Sequence, residues 1–238
     1  MTRVRILSRS AQPFRDRQEA GELLAAELAE LRGQNPVVLG IPRGGVAVAR
    51  EIAASLDGDL DIILARKLRT PGQTELAMGS VSEHGEVFLN ELVIRQLGIG
   101  SAEIEHEKTA QMEEIERRRR LLRSVAPKIP LRNRLVIITD DGVATGATMQ
   151  VAVWAIKQEE PSRLVAALPV AADEAVHRLA GDVDEIVCLR MPLFFGAVGQ
   201  FYIQFTQVED SDVLSILKEA RARAHRKPGT AERSHPAR

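Results

Sequence analysis

Five short, largely apolar runs punctuate the chain, at residues 37–41, 60–65, 135–139, 164–170 and 185–189. Each is rich in Val, Ile and Leu, and none shows the sustained alternation with polar residues of a half-solvated strand. Such runs suit strands buried on both faces, the environment of a parallel sheet with helices on either side. Amphipathic stretches at 45–55, 147–158 and 172–180 lie between several of them and are long enough for crossover helices. The alternation predicts a doubly wound α/β fold around a central parallel sheet of about five strands. Upstream, Asp16 is placed to cap a helix whose apolar positions Ala20, Leu23, Leu24, Leu28 and Leu31 recur at helical spacing before Gly33 stops it. A further helix is expected at about 211–224.

Two segments break the alternation. Residues 66–76 (RKLRTPGQTEL) are basic and turn-rich, and the pattern predicts a mobile loop. It leads into a hairpin in which Met78–Ser82 and Val87–Asn90 flank Glu83, His84, Gly85 and Glu86. From Ser101 to about Arg123 follows a strongly charged helix with a thin apolar stripe at Ile104, Met112, Ile115 and Leu122. So thin a stripe suits a helix packed along one narrow edge, or one that finds a partner subunit. The Arg117–Arg120 run is expected to face water or that second subunit. The sequence thus predicts one domain over 1–224, with the hairpin and charged helix inserted at about 66–125, a hood at about 191–208, and a disordered tail at 225–238.

Composition narrows the functions open to such a fold. Lys and Arg total 32 against 33 acidic residues, a net charge of -1. No global basic field exists to hold nucleic acid or an anionic membrane, so any anion must be caught locally. Aromatic residues are only 3% of the chain, a poor supply of stacking platforms for single strands. Cys188 is the sole cysteine, which leaves no disulfide and no thiolate cluster for zinc or iron and points to a reducing compartment. The N-terminal MTRVRILSRS lacks the apolar stretch of a signal peptide, and no run approaches the roughly 20 apolar residues of a membrane span. A soluble, cytoplasmic protein is the expectation.

Chemistry concentrates at 135–148, LVIITDDGVATGAT. An apolar strand ends in two carboxylates, Asp140 and Asp141, and a turn of small residues then opens a helix. A turn of this kind at a helix N-terminus leaves several backbone N–H groups aimed at one spot, which suits a phosphate. Thr145 and Thr148 add hydroxyl donors. The two carboxylates would repel that phosphate if they faced it, so they should reach vicinal hydroxyls or a magnesium ion about one sugar away. A solvated acidic pair that merely caps the helix is the plain alternative, but a cap needs one side chain and not this set. The turn lacks the lysine of a nucleoside-triphosphate P-loop.

The segment resembles the thirteen-residue phosphoribosyl pyrophosphate motif of type I phosphoribosyltransferases. The resemblance implies that Asp140 and Asp141 hold the ribose hydroxyls and any magnesium. It implies that Gly142, Val143, Ala144, Thr145, Gly146, Ala147 and Thr148 hold the 5-phosphate. A second match lies at Val37–Gly45, VVLGIPRGG, where the family places pyrophosphate-binding residues and often a non-proline cis peptide. By position these would be Arg43, Gly44 and Gly45, with the cis bond between Pro42 and Arg43. Arg66 and Lys67 stand at the start of the family's lid and are expected to bind pyrophosphate. Glu75 and Glu83 also lie in this region, and Glu83, in Ser-Glu-His-Gly, falls near the catalytic glutamate of adenine phosphoribosyltransferases. Hypoxanthine and guanine enzymes carry an aspartate where this chain has Ala144. The Arg-Lys-Leu and Glu-Leu-Ala-Met-Gly loops, the insertion at about 91–125 and the helix near Phe14 are similar instead to a bacterial group of predicted phosphoribosyltransferases.

What the resemblance implies is a magnesium-dependent transferase on the type I phosphoribosyltransferase-like fold. It would move a phosphoribosyl group from phosphoribosyl pyrophosphate to an acceptor the motif does not name, a nucleobase being expected, and a homodimer is expected too. The acceptor would sit under a hood at Met191–Gln207, which holds Phe194, Phe195, Phe201, Tyr202 and Phe205; base stacking or core packing would each explain that cluster. Trp154, on an amphipathic helix, is expected in the core. Two other classes remain open: a sensor of the donor or of nucleotides, which nucleic-acid binding would reveal, and a nucleotide or sugar-phosphate hydrolase, which would release inorganic phosphate.

Overall fold

Successive residues of a strand point to opposite faces, so a run that is apolar at every position needs cover on both sides. The computed structural model describes residues 2–225, apart from the side chains of 73–76, 224 and 225. Its elements run β1 (Arg3–Ser8), α1 (Arg17–Glu27), β2 (Val37–Gly40), α2 (Gly44–Leu56), β3 (Asp59–Ile62), β4 (Ala65–Thr70), β5 (Gln73–Ser82) and β6 (Val87–Leu89). There follow α3 (Glu91–Leu97), α4 (Ser101–Arg123), β7 (Leu135–Thr139), α5 (Ala147–Gln158), β8 (Arg163–Val170), α6 (Asp173–Leu179), β9 (Glu185–Arg190) and α7 (Asp210–His225). Six strands form one parallel sheet in the order β1-β9-β8-β7-β2-β3.

The alternation within each run decides the two layers. Val38, Leu60, Ile137, Val165 and Val187 pack with residues of α1, α2 and α7. Their neighbours Leu39, Val136, Ile138, Ala166 and Ile186 pack with α5 and α6 on the opposite face. Truncating one such residue to alanine removes packing on a face with no water to replace it, at about 2–5 kcal/mol for Leu or Ile. Asp16 caps α1 by accepting from the Glu19 amide at 2.8 Å. Leu23, expected on the inward stripe, is instead 42% exposed, because the buried face runs through Arg17, Ala20, Leu24 and Leu28.

Three features differ from the sequence expectation. The sheet has six strands because Arg3–Ser8 pairs with β9 as an edge strand. There Val4 and Leu7 stay exposed between arginines, so the segment lacks the apolar continuity of the interior strands. Glu91–Leu97 forms an additional short helix capped by Asn90. Residues 66–76 are not a loop but the β4–β5 hairpin, paired Lys67 with Ser80 and Leu68 with Gly79. Pro71 and Gly72 turn it, Gly72 taking the positive φ of +72° that a tight turn requires there. The expected tail lies outside the described residues beyond the end of α7.

The β4–β5–β6 sheet and α4 make a unit with its own small core of Leu68, Met78, Val81 and Ile115. α4 therefore finds its apolar partner within the chain. Arg123 at the end of α4 ties this unit to the main sheet. Its guanidinium meets Asp61 Oδ1 of β3 at 2.6 Å and both oxygens of Glu83 at 2.7 and 2.8 Å. Phe88 of β6 stacks on Trp154 of α5, with centroids 4.5 Å apart, as a second attachment. Trp154 is buried as expected, its Nε1 donating to Asp182 at 3.2 Å. Among the described residues no helix is long and apolar enough to cross a membrane.

Candidate active site

β7 is central, flanked by β2 and β8, and it ends in Asp140 and Asp141 at the carboxyl edge where open α/β sheets bind ligands. The Asp141 amide donates to Asp140 Oδ1 at 2.9 Å, turning the chain back towards α5. Val143 pegs the turn: its side chain is buried, its amide donates to Val170 O and its carbonyl accepts from Ala172, each at 2.9 Å. Its N–H is thus spent within the protein, unlike what a phosphate ligand would need. Ala144, Thr145 and Thr148 are exposed above it, Gly146 is the N-cap of α5, and the first-turn amides of that helix have no upstream carbonyl in the helix to bond.

The two carboxylates are in unlike settings. Asp140 is held well above the ordinary carboxylate value, first by burial and then by the charge of Asp141. Asp141 faces Arg17 of α1, whose Nε and Nη2 both lie 2.8 Å from its Oδ2. That guanidinium also donates to Thr206 O at 2.8 Å and sits 4.0 Å from the centre of the Phe205 ring. Tyr202 donates its hydroxyl to Asp141 O at 2.5 Å, and burial pushes its pKa above the ordinary phenol value. Asp141 therefore faces a buried cation, while burial and that neighbouring carboxylate raise the pKa of Asp140.

The second motif lies beside the first because β2 and β7 are paired, with Gly40 opposite Thr139. The Pro42–Arg43 peptide is cis, as the position implied. Gly44 and Gly45 open α2 against the acidic pair. A Cβ on Gly44 would lie 2.0 Å from Asp141 Oδ2, and one on Gly45 would lie 2.8 Å from Asp140 Cα. No other residue type fits that approach without moving the carboxylates.

The Pro42–Gly44 loop separates two clefts. One, of about 330 Å³, is lined by Pro42, Arg66, Lys67, Arg69, Arg118 and Thr148 among others. The other, about 470 Å³, lies against the hood and is lined by Arg17, Arg43, Gly44, Phe205, Thr206 and Gln207. Arg43 and the Arg66–Lys67 pair thus stand on opposite sides of the loop, and Arg43 pairs with Glu209 at 3.2 Å. Arg66 donates to Gln111 Oε1 of α4 at 3.0 Å.

Glu83 departs from its expected catalytic place. It is only 6% exposed and its two oxygens are both bonded to Arg123, so it braces α4 and lines neither cleft. The Glu75 side chain lies outside the described residues. The hood aromatics are mostly packing: Phe201 and Tyr202 are buried, Phe195 lies 4.9 Å from Phe201, and Phe205 stacks on Tyr202 at 5.2 Å. Phe194, at 89% exposed, presents its ring to solvent. Of the Arg117–Arg120 run, three face water and Arg118 turns into the cleft. Sequence reasoning missed Arg17, Gln111 and Arg118; the available signal was that each falls on the buried stripe of its helix.

No group of three or more His, Cys, Asp or Glu suited to a metal occurs among the described residues. Asp140 and Asp141 offer hard oxygens, with one oxygen of each already engaged by the Asp141 amide and Arg17. That set fits magnesium only where substrate oxygens complete the shell, which is the usual manner of that ion.

The fold and site together define a doubly wound α/β domain with an acidic pair and a turn of small residues at the carboxyl end of its central strand. Residues 16–206 match the family model described as phosphoribosyl transferase domain, and the chain belongs to that family. The protein named "Putative phosphoribosyl transferase Rv0571c" of Mycobacterium tuberculosis H37Rv is 44% identical over 213 residues, covering 90% of this chain and 47% of that protein. Its counterpart in strain CDC 1551 matches equally, so the chain spans about half the length of these curated relatives. The crystal structure of TT1426 from Thermus thermophilus is 46% identical with a TM-score of 0.84, covering 87% of this chain and 99% of that one.

Proposed function

We propose that the chain transfers the phosphoribosyl group of phosphoribosyl pyrophosphate to an acceptor nitrogen, with a nucleobase as the acceptor class, and releases pyrophosphate. The observation that carries this reading is the contact between the two motifs, in which Gly44 and Gly45, having no side chain, let the second motif pack directly against Asp140 and Asp141. Asp140 and Asp141, adjacent at the end of β7, offer carboxylate oxygens to the two vicinal hydroxyls of a ribose. Thr145 and Thr148, with the free amides of the turn and of α5, take the 5-phosphate. Arg66 and Lys67, with the backbone at Gly44 and Gly45, take the pyrophosphate.

In the transfer the bond from C1 to the pyrophosphate oxygen breaks, and the leaving group takes the electron pair. The acceptor nitrogen forms the new bond to C1 and gives up its proton. Magnesium, held by Asp140, Asp141 and donor oxygens, would supply charge neutralisation for the leaving group. The chain's own residues act by orientation and by fixed positive charge around the departing anion. Glu83 has no part in this scheme, since Arg123 holds both its oxygens.

Incubation with the donor, magnesium and a panel of bases should release pyrophosphate with at least one of them. Asp141→Asn should weaken donor binding by calorimetry at least tenfold, roughly one lost charge-assisted contact. Unchanged donor affinity in that variant, or no donor binding at millimolar levels in the parent chain, would overturn the reading. Release of inorganic phosphate alone would favour a hydrolase.

A further inference from the structure

α4 belongs to the insertion, and its inward stripe is not apolar throughout. Ile104, Gln111, Ile115, Arg118 and Leu122 follow one another at helical spacing and share one face. Ile115 and Leu122 are buried, as that face requires. Gln111 and Arg118 occupy stripe positions where burial favours an apolar side chain, and both line the cleft beside the Pro42 loop. The rest of the arginine run behaves differently. Arg117, Arg119 and Arg120 have side chains 63%, 45% and 78% exposed, against 36% for Arg118, and do not line that cleft.

In the cleft Arg118 joins Arg66, Lys67 and Arg69, and among the described residues lining it none is acidic. Arg118 has one partner outside that lining, Glu114 at 3.4 Å. The crowding is felt at Arg66, whose guanidinium is drawn below its ordinary value by burial first; Glu114 opposes this, while Arg118, Arg69 and Arg117 add to it. Gln111 fixes Arg66 in place by accepting its Nε–H, and is itself held through its amide by Glu107 at 2.9 Å. Four convergent cations exceed what a single phosphate needs, and the smaller anion is assigned to the turn before α5, whose Thr148 lines the same cleft. A diphosphate, with charge spread over two groups, matches the set.

We propose that Arg118 is a direct ligand of the diphosphate, so that the inserted helix supplies one wall of the pyrophosphate pocket, and that Gln111 is the positioning residue for Arg66. The inference rests on the reading given under the proposed function. It assigns the insertion a binding role in addition to its packing against the hairpin.

Calorimetry on the full chain with magnesium separates the two, using inorganic pyrophosphate and ribose 5-phosphate as independent probes. Arg118→Ala should weaken pyrophosphate binding about tenfold to hundredfold and leave ribose 5-phosphate unchanged. Arg120→Ala, which removes an equal charge two residues away on the solvent side, should alter neither affinity. Pyrophosphate affinity unchanged in Arg118→Ala, or lowered equally in both variants, overturns the assignment of Arg118 while ribose 5-phosphate binding leaves the functional reading standing. Failure of the parent chain to bind either probe overturns both.

Discussion

At the scale of single residues, the site depends on charges placed where helices normally bury carbon. Arg17 falls in register with Ala20, Leu24 and Leu28 on α1, and its side chain is only 10% exposed beside Asp141. Its neighbour Asp140 carries a testable pH signature. Because burial and Asp141 raise its folded value above the ordinary 3.8, the native state holds that proton more tightly than the unfolded chain does. The resulting stability is fully present below the unfolded value and is lost as pH rises through the folded one. Urea unfolding of the parent chain and Asp140→Asn should therefore show the parent losing ground to the variant as pH climbs from about 4. A difference between them that stays constant with pH would mean that ionising Asp140 carries no penalty in the fold. The acidic pair and the threonines of the turn were legible in the sequence because their spacing has one economical use. Arg17 and Arg118 were not, since a lone arginine in a charged helix looks solvated until the helix's packing face is known.

At the scale of elements, continuity of apolar residues located the four interior strands, the edge strand β3 and most helices to within a few residues. It failed at Arg3–Ser8, an edge strand with one neighbour, and at β4, whose basic residues looked like a loop. Strand pairing there comes from a tight Pro71–Gly72 turn and a covering helix, neither visible in local composition. The same helix sets the role of Glu83, which a hairpin sequence alone makes look exposed. Arg123→Ala should strand Asp61 as a buried carboxylate without a counter-ion and leave Glu83 only the more distant Lys128, at about 3–5 kcal/mol of stability. Chemical denaturation measures this directly. A loss below about 1 kcal/mol would show that Lys128, 3.9 Å from Glu83, or water compensates, and that Arg123 is not the tie between α4 and the sheet.

For the whole molecule, the parallel sheet with helices on both faces was foreseeable, whereas the separate small core under α4 was not. That core holds Leu68, Met78, Val81 and Ile115 and is far smaller than the two that sandwich the main sheet. Segments with few buried contacts open at lower free energy than the body they join. Amide hydrogen exchange should accordingly run faster in β4–β6 and α4 than in β7 and β8, with bound pyrophosphate slowing the first group. Equal protection across both regions would make the hairpin and α4 integral to the main cooperative unit. The stacking of Phe88 on Trp154 bears on how such opening can be seen. Trp154 is the chain's sole tryptophan, so its ring is an intrinsic optical gauge seated at the seam. Emission that shifts before the far-ultraviolet dichroism of the main sheet collapses would time the parting of the seam, with no dye or label introduced.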